Sequence, residues 1–147
     1  MRVPLQVLVY PVTFSRHESK VLLLKRIQKR SGFWQGVTGA PFENEPLSHA
    51  AIRELREETG FEVERAVELG FSYTFPVPRE YRHLYSDDIS EIVEHVFFVE
   101  TDGKTPVLSA EHDEWRWCPF LEARQMLLWE ENKTALDRVY EYISNRV

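Results

Sequence analysis

The chain has 147 residues, 43% hydrophobic and 29% charged, with 18 basic against 24 acidic residues and a net charge of −6. At this length a single domain over residues 1–147 with an ordinary core is expected, and the composition excludes global disorder. The acidic balance argues against capture of a nucleic-acid polymer, the short apolar runs exclude a bilayer-spanning helix, and a lone cysteine (Cys118) without a leader-like N-terminus points to the cytoplasm.

Residues 5–14 (LQVLVYPVTF) are apolar and β-branched and predict a strand with a bulge or an edge at Pro11. A polar turn at 16–20 leads into a second strand, 21–27 (VLLLKRI), antiparallel to the first. Residues 32–38 (GFWQGVT) predict a short extended piece with glycines on both sides, and 41–46 a loop. The first helix is 47–59: Ala50, Ala51, Ile52 and Leu55 give it an apolar face, and Gly60 suits a left-handed cap. Beyond it, 62–78 is strand-like, 79–88 is polar and irregular, and 91–100 (EIVEHVFFVE) is a strand closed by a turn at Asp102-Gly103. A short strand at 115–118 precedes two helices, 121–129 and one from Lys133 with Asn132 as N-cap. In the last helix Leu136, Val139, Tyr140 and Ile143 keep the spacing of one buried stripe. Strands on both sides of a central helix, with helices at the end, predict a mixed α/β sandwich.

The chemistry concentrates in that first helix, which contains Arg53-Glu54-Leu55-Arg56-Glu57-Glu58. Glu54, Glu57 and Glu58 stand at i, i+3 and i+4, so their carboxylates leave one side of the helix. Like charges at this spacing repel, and a hard divalent cation such as Mg²⁺, which prefers oxygen ligands, relieves that repulsion. A salt-bridged surface helix, with Arg53 reaching Glu57 one turn on, is the competing explanation. Written from Gly39, the chain fits G-x5-E-x7-R-E-U-x-E-E-x-G-U, where U is a bulky apolar residue: Gly39, Glu45, Arg53, Glu54, Glu57, Glu58 and Gly60 match, with Leu55 and Phe61 at the U positions. At background frequencies, seven fixed matches arise about once in 10⁸–10⁹ starts.

This segment resembles the signature of the Nudix hydrolases, which cleave a nucleoside diphosphate linked to another moiety. The resemblance implies an α/β/α sandwich, with a mixed curved sheet, the motif helix on one side and C-terminal helices. It also implies Mg²⁺-dependent attack of water on phosphorus, with Mn²⁺ as a substitute ion. Carried over residue by residue, Glu54, Glu57 and Glu58 would hold metal with the backbone carbonyl of Gly39, while Glu45 and Arg53 position the loop and the glutamates. Bound cations would also let an acidic protein admit an acidic polyphosphate. Two departures stand out: Thr38 and Phe42 occupy places where many members carry Gly and Glu, and Phe61 is larger than the usual aliphatic residue. A further acid is implied near the end of the domain, in Leu108-Ser109-Ala110-Glu111-His112-Asp113-Glu114-Trp115-Arg116-Trp117. Glu111 is the first candidate there for ligand or base and Glu114 the second, Glu54 itself being another base, with His112 offering a hydrogen bond.

Other stretches concern the substrate. Phe33-Trp34-Gln35-Gly36-Val37-Thr38-Gly39 and Trp129-Glu130-Glu131-Asn132-Lys133-Thr134-Ala135-Leu136 are similar to segments of the dihydroneopterin triphosphate and dATP pyrophosphohydrolases. Lys25 and Arg26 at a strand end suit β- and γ-phosphates, Trp34 suits stacking on a base or pterin, and Gln35 suits reading its edge. Arg79, Arg82 and His83 lie in a loop able to close over phosphates. The expected activity is pyrophosphohydrolysis of a nucleoside or pterin triphosphate, a small-molecule substrate, by a monomer or homodimer. A dinucleoside polyphosphate hydrolase and a non-catalytic nucleotide-binding module are the alternatives.

Overall fold

The computed structural model describes residues 1–14 and 18–145, so Arg16 and His17 of the expected turn lie outside the described residues. Strand β1 (Leu5–Thr13) is buried over most of its length because it is covered on both faces. It runs parallel to β6 (Glu91–Glu100) from Leu5↔Val93 to Val12↔Glu100. On its other side it changes partner: β4 (Val37–Gly39) pairs antiparallel at Val7–Val9, and β2 (Lys20–Arg26) takes over at Val12 and Thr13. Pro11 falls between these two stretches, in the interior of the sheet rather than at an edge. A residue without an N–H is tolerated where a strand trades one partner for another.

The expected antiparallel pairing of β1 with β2 is therefore present but brief. The main partner of β2 is β7 (His112–Pro119), antiparallel along its whole length. This ladder extends β7 well upstream of the predicted 115–118. Residues 32–38 split into β3 (Trp34–Gln35), which pairs β2, and β4, which pairs β1. The break comes at Gly36, where a β-carbon would stand 2.9 Å from the Tyr10 ring. Strand β5 (Val67–Pro76) forms one edge against β6 and starts later than predicted, with an irregular register around Gly70, whose φ is +70°. Among the described residues the seven strands make one mixed sheet.

Helix α1 (Leu47–Thr59) covers one face, where Ala50, Ala51 and Leu55 pack with Val7, Val9, Leu22, Leu24 and Phe97. Helices α2 (Phe120–Met126) and α3 (Glu130–Ser144) cover the other, against Leu8, Tyr10, Val21, Leu23, Val96 and Phe98. The result is an α/β/α sandwich. Burying ten or so such side chains at roughly 1.5–3 kcal/mol each gives either core layer ample driving force. Helix α2 stops at Met126 because Leu127 turns extended and bridges Trp34. Helix α3 begins at Glu130 rather than Lys133, with Glu130 and Glu131 in the first turn where the helix dipole favours acids. Asn132 is thus inside the helix and not its cap. Tyr140 is 52% exposed and lies outside the buried stripe of Ala135, Leu136, Val139 and Ile143. The predicted irregular segment 79–88 contains a 3-10 turn, Arg79–Leu84.

Candidate active site

Gly39 ends β4 beside Val7, and the chain then loops through 40–46 into α1. Arg53 ties this loop to the helix. Its Nε and Nη2 donate to the two oxygens of Glu45 at 3.0 and 2.9 Å, and Nη2 also reaches the Ala40 carbonyl at 3.1 Å. Its Nη1 donates to Glu54 at 3.0 Å and to Glu57 at 3.3 Å. The Phe42 ring lies 3.9 Å from the guanidinium carbon, so the aromatic residue that departs from the motif becomes a cover for Arg53. The Glu45 carboxyl is held below its usual range, first by the Arg53 hydrogen bond.

The three glutamates of α1 differ in environment. Glu57 is half exposed, whereas the Glu54 and Glu58 side chains are 12% and 8% exposed. Glu54 lies against Gly39 so closely that a β-carbon there would fall 2.0 Å from its carboxyl carbon. Burial, and then the charge of Glu57, push the Glu54 carboxyl up to about 7 despite Arg53. Burial also pushes Glu58 upward, but hydrogen bonds from His112 and Ser109 outweigh it and hold the carboxyl below the usual range. This donor set suits a hard cation: carboxylate oxygens, with Glu54 filling the space that a side chain at position 39 would need. Among the described residues no three His, Cys, Asp or Glu side chains form a closed ligand group. Mg²⁺ does not require one, since it completes its shell with waters and substrate phosphates.

From the far side of the sheet's edge, β7 and the turn before it close the site. Ser109 Oγ donates to Glu58 Oε2 at 2.7 Å and His112 Nδ1 donates to the same oxygen at 2.9 Å. Glu111 lies within hydrogen-bonding reach of Glu58 and 3.5 Å from Arg30. Glu114 instead pairs with Lys25 at 3.1 Å. The β2·β7 register sets this difference, with an irregularity between Lys25 and Arg26.

The residues expected to read substrate are not gathered in one place. Gln35 is 6% exposed and its Nε2 lies 3.3 Å from His112 Nε2, on the α1 face. Trp34, its neighbour, packs on the α3-side core, with Arg116 5.8 Å above its ring. Strand alternation sets Lys25 on the Trp34 side, opposite Leu24 and the α1 core. Arg26 lies over the Phe33 ring at 5.3 Å. Arg82 donates to the carbonyls of Ser86 and Ile89, bracing its own loop.

A buried polar network that local sequence pattern does not announce lies on the α3 side. Glu94, 3% exposed, accepts hydrogen bonds from Gln6 Nε2 and Tyr73 Oη; Asn132 Nδ2 donates to Tyr73 Oη at 2.8 Å, and Tyr10 Oη donates to the Asn132 carbonyl at 2.8 Å. Burial pushes the Glu94 carboxyl up. The signal available was Glu94 itself, in phase with the buried Ile92, Val96 and Phe98 of β6.

The sequence profile of the NUDIX domain matches residues 4–139. The chain belongs to the Nudix hydrolase family. A dihydroneopterin triphosphate diphosphatase of Haemophilus influenzae is 31% identical over 135 residues, covering 88% of this chain and 84% of that one. The structure of the Escherichia coli dihydroneopterin triphosphate pyrophosphohydrolase superposes with a TM-score of 0.79 at 25% identity, over 93% of this chain and 94% of that chain. A NUDIX hydrolase from Listeria monocytogenes gives a TM-score of 0.85 at 29% identity, over 98% and 97%. A Caenorhabditis elegans Ap4A hydrolase shares the Nudix fold with a TM-score of 0.72 at 18% identity, over 97% and 99%. Among the described residues no helix is long and apolar enough to cross a membrane.

Proposed function

We propose that this Nudix hydrolase is a Mg²⁺-dependent pyrophosphohydrolase acting on a nucleoside or pterin triphosphate of the dATP or dihydroneopterin triphosphate type. The observation that carries the reading is Glu54 packed against Gly39 and interacting with the charges of Glu57 and Glu58 on the same helix, with Glu111 beside Glu58. The relatives named for dihydroneopterin triphosphate, aligned over most of both chains, support the substrate class.

Glu54, Glu57, Glu58 and Glu111, with the Gly39 carbonyl, are the residues that would hold the cation. When bound, Mg²⁺ neutralises the polyphosphate and acidifies water, with Mn²⁺ able to replace it. Arg53 holds two of the glutamates and the 40–46 loop in fixed relation, which keeps the site pre-organised. We take Glu54 as the base: its largely buried carboxyl lies against Gly39, and in the metal-free protein burial and Glu57 push it up to about 7. A water oxygen attacks phosphorus, Glu54 accepts its proton, and the phosphorus–oxygen bond to the leaving group breaks to release pyrophosphate and the monophosphate. Glu114, committed to Lys25 across the strand pair, has a poorer position for this role.

The test is product analysis with dihydroneopterin triphosphate, dATP and diadenosine tetraphosphate, with Mg²⁺ or with EDTA. Pyrophosphate plus monophosphate from a triphosphate is expected, abolished by EDTA and lowered about 10²-fold or more by Glu57→Gln. Full activity of Glu57→Gln, or activity in EDTA, overturns the reading. Preferential cleavage of diadenosine tetraphosphate would instead favour the dinucleoside polyphosphate reading, to which the Glu111–Trp117 stretch is similar.

A further inference from the structure

Gln35, His112 and Glu58 come from three elements far apart in sequence and form one buried line. Strands β3 and β7 both pair with β2, at Leu24↔Gln35 and Arg26↔His112, so Gln35 and His112 meet across it, on the face that α1 covers. The His112 side chain is 3% exposed and that of Glu58 8%. A carboxylate only accepts, so the His112 Nδ1 that sits 2.9 Å from Glu58 Oε2 must carry a proton and donate it. The Gln35 side-chain amide lies 3.3 Å from His112 Nε2, so it engages the other ring nitrogen and helps fix the orientation of the ring. Exchanging the two ends of the Gln35 amide would leave the Nδ1–H donor to Glu58 unchanged. Ser109 Oγ adds a second donor to the same oxygen and itself accepts the Glu111 N–H at 3.2 Å. The Ser109 and His112 bonds both end on Oε2.

We propose that His112, its ring set by Gln35 and assisted by Ser109, is a positioning residue: it pins one oxygen of Glu58 so that the other is presented to a divalent cation. This rests on the metal reading of α1 given above. It moves Gln35 from the substrate to the support of a ligand, in agreement with its burial. A glutamate side chain free to rotate loses conformational entropy on binding an ion, and a pinned one has lost it already. A plain packing role for His112 predicts instead that only its volume matters.

The two roles separate by the position of the donor. Asparagine places an N–H near the His112 Nδ1 position, whereas glutamine places it near Nε2, out of reach of Glu58. Mn²⁺ binding to the substrate-free protein, followed by the electron paramagnetic resonance of the free ion, is the readout, with melting temperatures taken in EDTA. His112→Gln is expected to weaken Mn²⁺ binding about 10–100-fold and His112→Asn by less than about threefold, with similar melting temperatures for the two. Equal Mn²⁺ affinities for the two variants overturn the proposal, whether both are unchanged or both are weakened. Should His112→Gln not fold, Ser109→Ala strips the other donor from the same oxygen; a loss of about three- to tenfold is expected, and unchanged affinity overturns the proposal. Glu57→Gln separates the two levels. If it too leaves Mn²⁺ binding intact, the metal reading of α1 fails; if it alone weakens binding, only the positioning role fails.

Discussion

The carboxyl of Glu54 occupies the space where a side chain at Gly39 would begin: a β-carbon built on Gly39 lies 2.0 Å from Glu54 Cδ and 2.4 Å from Oε1. Glu54 is also held by Arg53, so displacing it breaks that hydrogen bond. Gly39→Ala is expected to fold, at a cost of about 1 kcal/mol for a displaced rotamer. Its activity should fall about 10²-fold, since displacing a reacting group by an ångström has effects of that order. Steady-state rates beside a melting curve check both parts; activity within a few-fold of wild type would remove Glu54 from the chemistry.

Arg53→Lys tests whether charge alone suffices at the hub. Lysine keeps the charge but cannot span both Glu45 oxygens, the Ala40 carbonyl, Glu54 and Glu57, nor stack flat on Phe42. A loss of about 2 kcal/mol is expected, seen as a melting temperature lower by roughly 4–8 °C. Activity should fall with it, because the loop and two glutamates lose their common anchor.

Glu54 and Glu58 give the metal-free protein opposite pH dependences in separate windows. The Glu54 carboxyl stands at about 7 in the fold, pushed up by burial and then Glu57, against 4.5 as the ordinary value. Between these values the folded protein keeps a proton that the unfolded chain has released, so stability falls as pH rises from about 4.5 to about 7. Glu58 lies below its ordinary value, so its contribution is present above about 4.5 and is lost as pH falls through the folded value. Glu54→Gln has no proton to lose. Its melting temperature in EDTA, relative to wild type, is expected to climb between about pH 5 and pH 7; a constant difference would contradict the shift. Because a bound cation needs the ionised form, Mg²⁺ affinity should rise over the same interval with release of a proton.

Tyr73→Phe addresses the network on the opposite face. It removes a donor to buried Glu94 and leaves the Asn132 side-chain amide without its acceptor. A destabilisation of about 1–3 kcal/mol is expected from the unpaired groups, measured by denaturant titration at unchanged m-value. Unchanged stability would show that water replaces the hydroxyl.

Local spacing made the motif helix legible: Glu54, Glu57, Glu58, Arg53 and Gly39 are placed by one helix and the loop before it. What lay beyond local spacing depended on register. Nothing in the sequence says that Glu114 pairs across β2 with Lys25 while an irregularity one step away turns His112 toward Glu58. Trp34 and Gln35 were read together, yet adjacent strand residues point to opposite faces, and they serve different layers. Asn132 has the residue type of a cap, but Glu130 and Glu131 start the helix earlier, leaving its amide to Tyr73. Pro11 predicts a bulge or an edge, whereas it sits where β1 changes partner, which is a tertiary property.

The pairing of β2 with β7 joins residues about ninety positions apart, as does that of β1 with β6. Such distant closures cost loop entropy before their contacts repay it. A nascent chain that has left the ribosome as far as Glu100 therefore owns every acid of the motif but neither Ser109 nor His112. On the proposed role of Ser109 and His112, the support of Glu58 is completed only when the seventh strand docks.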